Sequence, residues 1–378
     1  MKFDRRKLFG LITGLVLSTI GSIGRSLAQK KYKSIDRQRS LPFWVGWYDR
    51  MENPSLAAKV YAKGINLLMP YVGDVKKEAI QLFLDKSNRV GVKVLLEINR
   101  PLVESGNIAG IKDFVRTYKN HPAVYAWYLY DEPEIKKPTP LSPQFLERIY
   151  QAIKEEDKSK PVAIVFADPH KIESFVNAMD IVMWDRYPCL VGEPEFQWVP
   201  AYRRDFYTVI STANLHNQKF YNVLQASNEK QSTKRLPSSA ELRYMFYLSV
   251  LAGADGLLFW MYYFSVNSWN DSVLYPNIKE FNNYIPAIIK GKDLSNTLRV
   301  SNLDVEVKLF SIPNTKKYLA IAINHDRVQT TLTVKFDRKF AGKKVTTDRT
   351  KTKITQIATD ASFSTLLKPY EVLICKIG

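Results

Sequence analysis

Between residues 43 and 262, short apolar runs alternate with segments of helical periodicity, and this alternation restricts the fold more than any other feature. The runs are Phe43–Tyr48, Ile65–Tyr71, Val92–Ile98, Val124–Tyr130, Val162–Ala167, Ile181–Trp184, Phe220–Gln225 and Gly256–Tyr262. Between them lie amphipathic segments such as Ile111–Tyr118 and Phe145–Lys154, with apolar residues three and four apart. Ser142-Pro143 supplies an N-cap followed by a first-turn proline. Strands separated by helices pair in parallel, because each crossover needs about a dozen residues. Eight such strands are the number that closes into a (β/α)8 barrel. An open doubly wound sheet is the competing arrangement, but its first strand usually feeds a glycine-rich phosphate turn. Here that position reads Trp47-Tyr48-Asp49-Arg50. The pattern predicts an α/β chain with a TIM barrel over residues 41–296.

A helical stretch, Asn277–Lys290, ends at Gly291, and from about Leu298 the texture changes. Asp304–Ser311, Lys317–Ile323, Thr330–Phe336 and Tyr370–Ile377 alternate apolar and polar residues, the signature of antiparallel β structure. A small C-terminal β-sandwich domain is expected over 297–378. No tryptophan falls after Trp269. We therefore assign this domain no chemistry; its expected role is to brace the barrel, with glycan binding as the alternative.

Residues 1–28 read as an address. Arg5-Arg6 precede an apolar run from Leu8 to Ile23, and Ser26-Leu27-Ala28 has the small residues of a cleavage site. Asp4-Arg5-Arg6-Lys7-Leu8-Phe9 resembles a twin-arginine export signal. Cleavage near Ala28-Gln29 is expected, with an uncleaved anchor helix as the alternative, followed by a polar linker over 29–40. The expected mature protein is exported, in the periplasm, at the cell surface or outside the cell, with no stable membrane span.

The chain carries a formal charge of +18. Its lysines are scattered, with no basic run longer than Lys30-Lys31-Tyr32-Lys33, so nucleic acid is not the expected partner. Cys189 and Cys375 lie far apart and are expected to remain unpaired. The histidines, His121, His170, His216 and His325, show no metal-ligand spacing, so neither a metal nor another cofactor is expected.

Active sites of such barrels lie at the carboxyl ends of the strands. Read in order, those ends give Asp49; Tyr71; Glu97 and Asn99; Asp131 and Glu132; Asp168 and His170; Asp185 and Tyr187; Gln225; and Trp260 with Tyr262. Arg50, Asn99, Arg100 and Arg186 add donors at the same end. Flat apolar faces rimmed by carboxylates suit a pyranose ring, which points to a carbohydrate substrate, with an anionic one favoured by the basic surface. Trp127 and Trp184 are expected in the core, and Trp47, Trp260 and Trp269 as sugar platforms. The loop Cys189–Pro200, with Glu193, Glu195 and Trp198, offers further subsite residues or simply a cover for the mouth. Two adjacent acids after an aromatic strand, Asp131-Glu132 before Pro133, are expensive to desolvate unless something uses them.

On these residues the barrel resembles the glycoside hydrolases of clan A and related uncharacterised hydrolase-like barrels, over roughly residues 42–290. The clan's strand 4 ends in Asn-Glu, often followed by Pro, and that Glu is the acid/base. Asp131-Glu132-Pro133 occupies this place with Asp for Asn, so the resemblance implies Glu132 as proton donor. Trp260 matches an aromatic that the clan keeps at the end of strand 8. The departure is at strand 7: where the clan has a nucleophilic Glu, this chain has Gln225. An amide is neither nucleophile nor base, and two-carboxylate hydrolysis needs a second acid. Three explanations stand open, besides a non-sugar hydrolase. The partner is relocated to Asp185, with Glu97 behind it; or the substrate assists, as in hexosaminidase-like barrels with an adjacent Asp-Glu in which Asp131 orients an acetamido group; or catalysis is lost and a glycan-binding barrel remains. The expected substrate contacts are Trp47, Asp49, Glu97, Asn99, Tyr187, Gln225, Trp260 and Tyr262.

Overall fold

The β-branched and aromatic runs pair in sequence order. In the computed structural model, which describes residues 42–228, 233–348 and 356–378, they close a parallel barrel of eight strands. These are β1 (Trp44–Arg50), β2 (Leu67–Tyr71), β3 (Lys93–Glu97), β4 (Val124–Asp131), β5 (Val162–Phe166), β6 (Ile181–Arg186), β7 (Lys219–Gln225) and β8 (Gly256–Trp260). Successive side chains of a strand point to opposite faces. One set, including Tyr48, Met69, Leu95, Tyr128, Val165, Met183, Val223 and Leu258, fills the lumen. The alternate set, including Trp47, Leu68, Leu96, Trp127, Trp184, Leu224 and Phe259, packs outward in the larger core. Burial on both faces explains why the strands read as nearly continuous apolar runs. Ser142 caps the helix Pro143–Glu156 by accepting the Phe145 N–H at 3.2 Å.

The C-terminal strands are β9 (Arg299–Val300), β10 (Val305–Ser311), β11 (Tyr318–Asn324), β12 (Thr330–Lys335), β13 (Val345–Asp348), β14 (Ser362–Leu367) and β15 (Val372–Ile377). They form two antiparallel sheets, ordered β10-β11-β15-β13 and β14-β12-β9. The larger sheet departs from simple alternation because both of its faces are buried. Leu319, Ile321, Ile323 and Ile374 join the barrel's outer core, whereas Ala320, Ala322, Leu373 and Cys375 face the sandwich core. The helix Ser239–Ala252 lies under this sheet and is apolar almost all round, as a helix buried on every side must be. Arg243 of that helix fastens the sheet: its Nε donates to Glu280 at 2.6 Å and its Nη1 donates to the Val372 carbonyl.

The twin-arginine-like leader (1–28) and the linker (29–40) lie outside the described residues. Among the described residues, no helix is long and apolar enough to cross a membrane. The last barrel helix ends at Lys290 and β9 starts at Arg299. Cys189 and Cys375 are both buried thiols.

Candidate active site at the barrel mouth

Two backbone devices aim the acids of β4. The β4–β5 register slips between Tyr128 and Tyr130, so that Asp131 stands opposite Val165, a lumen residue. A bulge of this kind adds one residue and reverses the facing of all that follow. Without it Asp131 would share the outward parity of Trp127 and Leu129. Glu132 then adopts φ +50°, the left-handed region that a residue with a Cβ seldom enters, and its N–H donates to the Val165 carbonyl at 3.1 Å. Glu134 secures the turn by accepting the N–H groups of Ala167 (2.7 Å) and Asp168 (2.9 Å).

Asp131 is held from several sides. Its Oδ1 accepts the Tyr128 hydroxyl at 2.7 Å, and its Oδ2 accepts the Tyr71 hydroxyl at 3.1 Å and Arg100 Nη2 at 3.5 Å. Burial, and then the Asp131 charge, raise the Tyr71 and Tyr128 hydroxyls well above the ordinary phenol range, so both remain neutral donors.

Glu132 and Asp185 are neighbouring carboxyls, each of which perturbs the ionisation of the other. Asp185 Oδ2 accepts the Tyr187 hydroxyl at 3.1 Å, while its Oδ1 is buried with no N–H or hydroxyl donor. Burial first, and the Asp131 charge second, push Glu132 up to about 7; burial and then the Glu132 charge hold Asp185 well above the carboxylate range. The pair therefore titrates as a unit, one proton being retained near neutrality.

An aromatic wall stands beside the pair. Tyr187 stacks on Trp260 with ring centroids 5.4 Å apart and planes 20° apart. Trp260 Nε1 donates to the Tyr71 hydroxyl at 3.2 Å, which links the wall to Asp131. The structure thus brings Asp131, Glu132, Asp185, Tyr187 and Trp260 together. Lumen tyrosines 48 and 128, which the strand-end reading passed over, support them from below; their inward parity, two residues apart from strand-end positions, was the available signal.

The remaining expected contacts are placed differently, each for a physical reason. Trp47 is fully buried behind the sheet, against Phe259 and Tyr262, and offers no platform. Tyr262 meets it edge-on, on that same outer side. Asp49 has the outward parity of Trp47; burial raises it to about 6, and Asn53 donates to it at 3.4 Å. Glu97 does point inward, but both oxygens are engaged, by the Val72 N–H (2.5 Å) and by Arg100 (3.1 and 3.3 Å). Asn99 caps the helix Arg100–Glu104 and donates to the Gly73 carbonyl at 2.8 Å. Asp168 accepts the His170 N–H at 2.9 Å within its own turn. Trp269 is buried, donating to the Pro237 carbonyl at 2.8 Å, whereas Trp127 and Trp184 lie in the core. Trp198 is also buried and donates to Glu241 at 2.9 Å, while Glu193 and Glu195 are exposed. Arg186 is exposed, with the outward parity of Trp184.

Gln225 is a bolt between two loops. It is 1% exposed; its Oε1 accepts the Cys189 N–H at 2.9 Å, and its Nε2 donates to the carbonyls of Arg235 (2.8 Å) and Cys189 (3.3 Å). It thereby joins the loops that follow β6 and β7. The amide accepts and donates at once, with no charge to desolvate. Glu241 braces the same loops by accepting from Arg235, Phe196 N, Trp198 and Ser238 N. Among the described residues, no group of His, Cys, Asp or Glu has the arrangement to hold a metal ion.

No protein-family model matches the sequence, and no curated protein matches it. Solved structures do match in shape. A GH27 β-L-arabinopyranosidase from Geobacillus stearothermophilus aligns over 92% of this chain and 98% of its own, with TM-score 0.57 and 10% identity. A family 39 glycoside hydrolase from Bacteroides cellulosilyticus aligns over 92% of this chain and 82% of its own, with TM-score 0.55 and 12% identity. An α-amylase from Geobacillus thermoleovorans covers 89% and 98%, with TM-score 0.55 and 9% identity. At such identities the likeness speaks for the fold alone: this chain shares the fold of these glycoside hydrolases, an eight-stranded parallel barrel.

Proposed function

We propose that the chain is an exported glycoside hydrolase acting on a poly- or oligosaccharide, with Glu132 as general acid/base and Asp185 as its partner carboxylate. The observation that carries this reading is the proton-sharing Glu132–Asp185 pair at the barrel mouth, with Glu132 raised to about 7 beside the Tyr187–Trp260 wall. An acid that still holds its proton near neutrality can protonate a glycosidic oxygen. A saccharide lying on the wall inserts its scissile bond between the two carboxyls and parts them toward the roughly 5 Å of a retaining pair. As the pair parts, the shared proton passes from Asp185 to Glu132; Glu132 gives it to the leaving oxygen as the now ionised Asp185 attacks the anomeric carbon, forming a glycosyl ester. Glu132 then takes a proton from water, and the hydroxide equivalent cleaves the ester. Asp131, fixed by two tyrosine hydroxyls and Arg100, supplies the negative charge that keeps the proton on the pair.

The test is release of reducing ends from a polysaccharide panel by wild type and by Glu132→Gln. The expected result is loss of turnover with glycan binding largely kept; full activity of Glu132→Gln on an activated glycoside refutes the assignment. Azide rescue of Asp185→Ala to a glycosyl azide identifies Asp185 as nucleophile. A second reading draws on the closeness of the pair: substrate assistance, with Asp131 orienting an acetamido group. It requires turnover confined to 2-acetamido sugars and no azide adduct. Saturable binding without any cleavage would leave a non-catalytic glycan-binding barrel. Export rests on the leader and is tested by fractionating cells with Arg5-Arg6 intact or replaced by Lys-Lys.

A further inference from the structure

Three cations stand around the acid cluster, each lying over an aromatic ring. Arg100 lies 5.7 Å from the centre of Tyr71 and is committed to Glu97 and Asp131. Lys234, in the loop after β7, lies 4.9 Å from the centre of Tyr187. Arg50, the last residue of β1, places its guanidinium carbon 3.7 Å from the centre of Tyr263. Both Arg50 and Tyr263 are exposed. Among the described residues, no carboxylate stands within ion-pair distance of Arg50.

Arg50 is well sited to touch a substrate. It continues the inward parity of Trp44 and Tyr48, and it pairs in register with Tyr71, whose hydroxyl reaches Asp131. Tyr71 thus links it to Asp131, across β2 and β3. A guanidinium held over a ring face at 3.7 Å still has N–H groups to offer a carboxylate or sulfate. Meanwhile Asp131, Glu132 and Asp185 repel an anion at the β4–β6 side. An acidic substituent is therefore better accepted away from them, on the β1 side where Arg50 stands.

We infer that Arg50 on Tyr263 is a specificity subsite for the carboxylate or sulfate of an acidic sugar unit neighbouring the one at Glu132. This rests on the reading of the mouth as a carbohydrate site. The experiment measures binding of the full chain, Arg50→Gln and Arg50→Lys by affinity electrophoresis and calorimetry. The probes are matched pairs: polygalacturonate and its methyl ester, and a sulfated galactan and its desulfated form. The expected result is that wild type binds one charged polymer about tenfold more tightly than its neutral counterpart at low salt, with the preference weakening as salt rises. The pair that shows the preference says whether carboxylate or sulfate is read. Arg50→Gln should abolish the preference and Arg50→Lys should keep part of it, with melting temperatures confirming that both fold. Equal affinity within both pairs, no binding to any of the four, or a preference untouched in Arg50→Gln overturns the inference. An Arg50-dependent preference without release of reducing ends keeps the subsite and refutes the hydrolase; turnover without charge preference does the reverse.

Discussion

Replacing Gln225 by Glu asks whether the strand-7 carboxylate of clan A can simply be put back. The surroundings of Gln225 argue against it. A carboxylate there still accepts the Cys189 N–H, but it faces the Arg235 and Cys189 carbonyls with no proton to offer. The group must therefore bind a proton to remain buried. Holding a carboxyl neutral at pH 7 against an ordinary value near 4.3 costs up to ~3.7 kcal/mol, at about 1.36 kcal/mol per pH unit. The neutral acid can then donate to the Arg235 carbonyl, and the Cys189 carbonyl keeps the Arg235 N–H at 3.1 Å. The further loss of the 3.3 Å contact is only ~0.5–1 kcal/mol. The total is about 4 kcal/mol at pH 7, or a fall of roughly 10 °C in melting temperature at about 2–4 °C per kcal/mol. The sign with pH follows from linkage. The folded-state pKa of the new carboxyl exceeds its unfolded value, so the deficit is small at or below about pH 4.3 and grows as pH rises toward the folded value. Melting of wild type, Gln225→Glu and Gln225→Leu from pH 4.5 to 8 reads this directly, the leucine variant giving a deficit that does not change with pH. A Gln225→Glu protein as stable as wild type at pH 7, or one that gains turnover, would show that the side chain reaches the substrate and is no bolt.

Other outcomes follow from the same geometry. The kcat/KM profile should have a limb near pH 7, where Glu132 titrates, and Glu132→Gln should remove it; a limb that persists in the residual activity of Glu132→Gln counts against the assignment. Glu132 has a folded value raised from 4.5 to about 7, so its contribution to stability is present below about pH 4.5 and lost as pH rises through 7. Glu132→Gln should accordingly be more stable than wild type at pH 8 by about 1–2 kcal/mol, discounted for its partial exposure, with the gain vanishing at pH 4.5 in a calorimetric series. Arg243→Ala removes the pair with Glu280 and the bond to Val372, and should lower stability by about 3–5 kcal/mol in chemical denaturation. A loss below ~1 kcal/mol would mean that the larger C-terminal sheet does not depend on this anchor.

The barrel was legible because each strand is buried on both faces and each crossover is amphipathic, so periodicity alone separates the two element types. The position of Glu132 and Asp185 at strand ends followed from counting. Facing could not be counted in the same way. A period of two extrapolated along β4 sends Asp131 outward, and the one-residue slip after Tyr128 has no compositional mark such as glycine. Trp47 and Gln225 were misplaced for a related reason. A strand-end residue contributes to the mouth only if its parity is inward and its polar atoms are not already spent on loop backbone. The first condition fails for Trp47 and the second for Gln225.

These two conditions also account for the pairing of Glu132 with Asp185. A lumen position at the end of β7 is the ordinary site for the second acid in clan A, and here it is occupied by loop anchoring. Asp185, on the neighbouring β6 and with the inward parity of Ile181 and Met183, is the nearest lumen position whose side chain is not consumed by backbone. Asp185 stands one strand closer to β4 than Gln225 does, so the Glu132 charge reaches it and helps to hold its pKa up. Asp131, turned inward by the bulge, adds its own charge, which helps to keep a proton on the pair near neutrality. The bulge in β4, the left-handed Glu132 and the amide at 225 are therefore one linked arrangement: undoing the bulge would take Asp131 out of the mouth and lower the Glu132 pKa, even with both members of the pair still present.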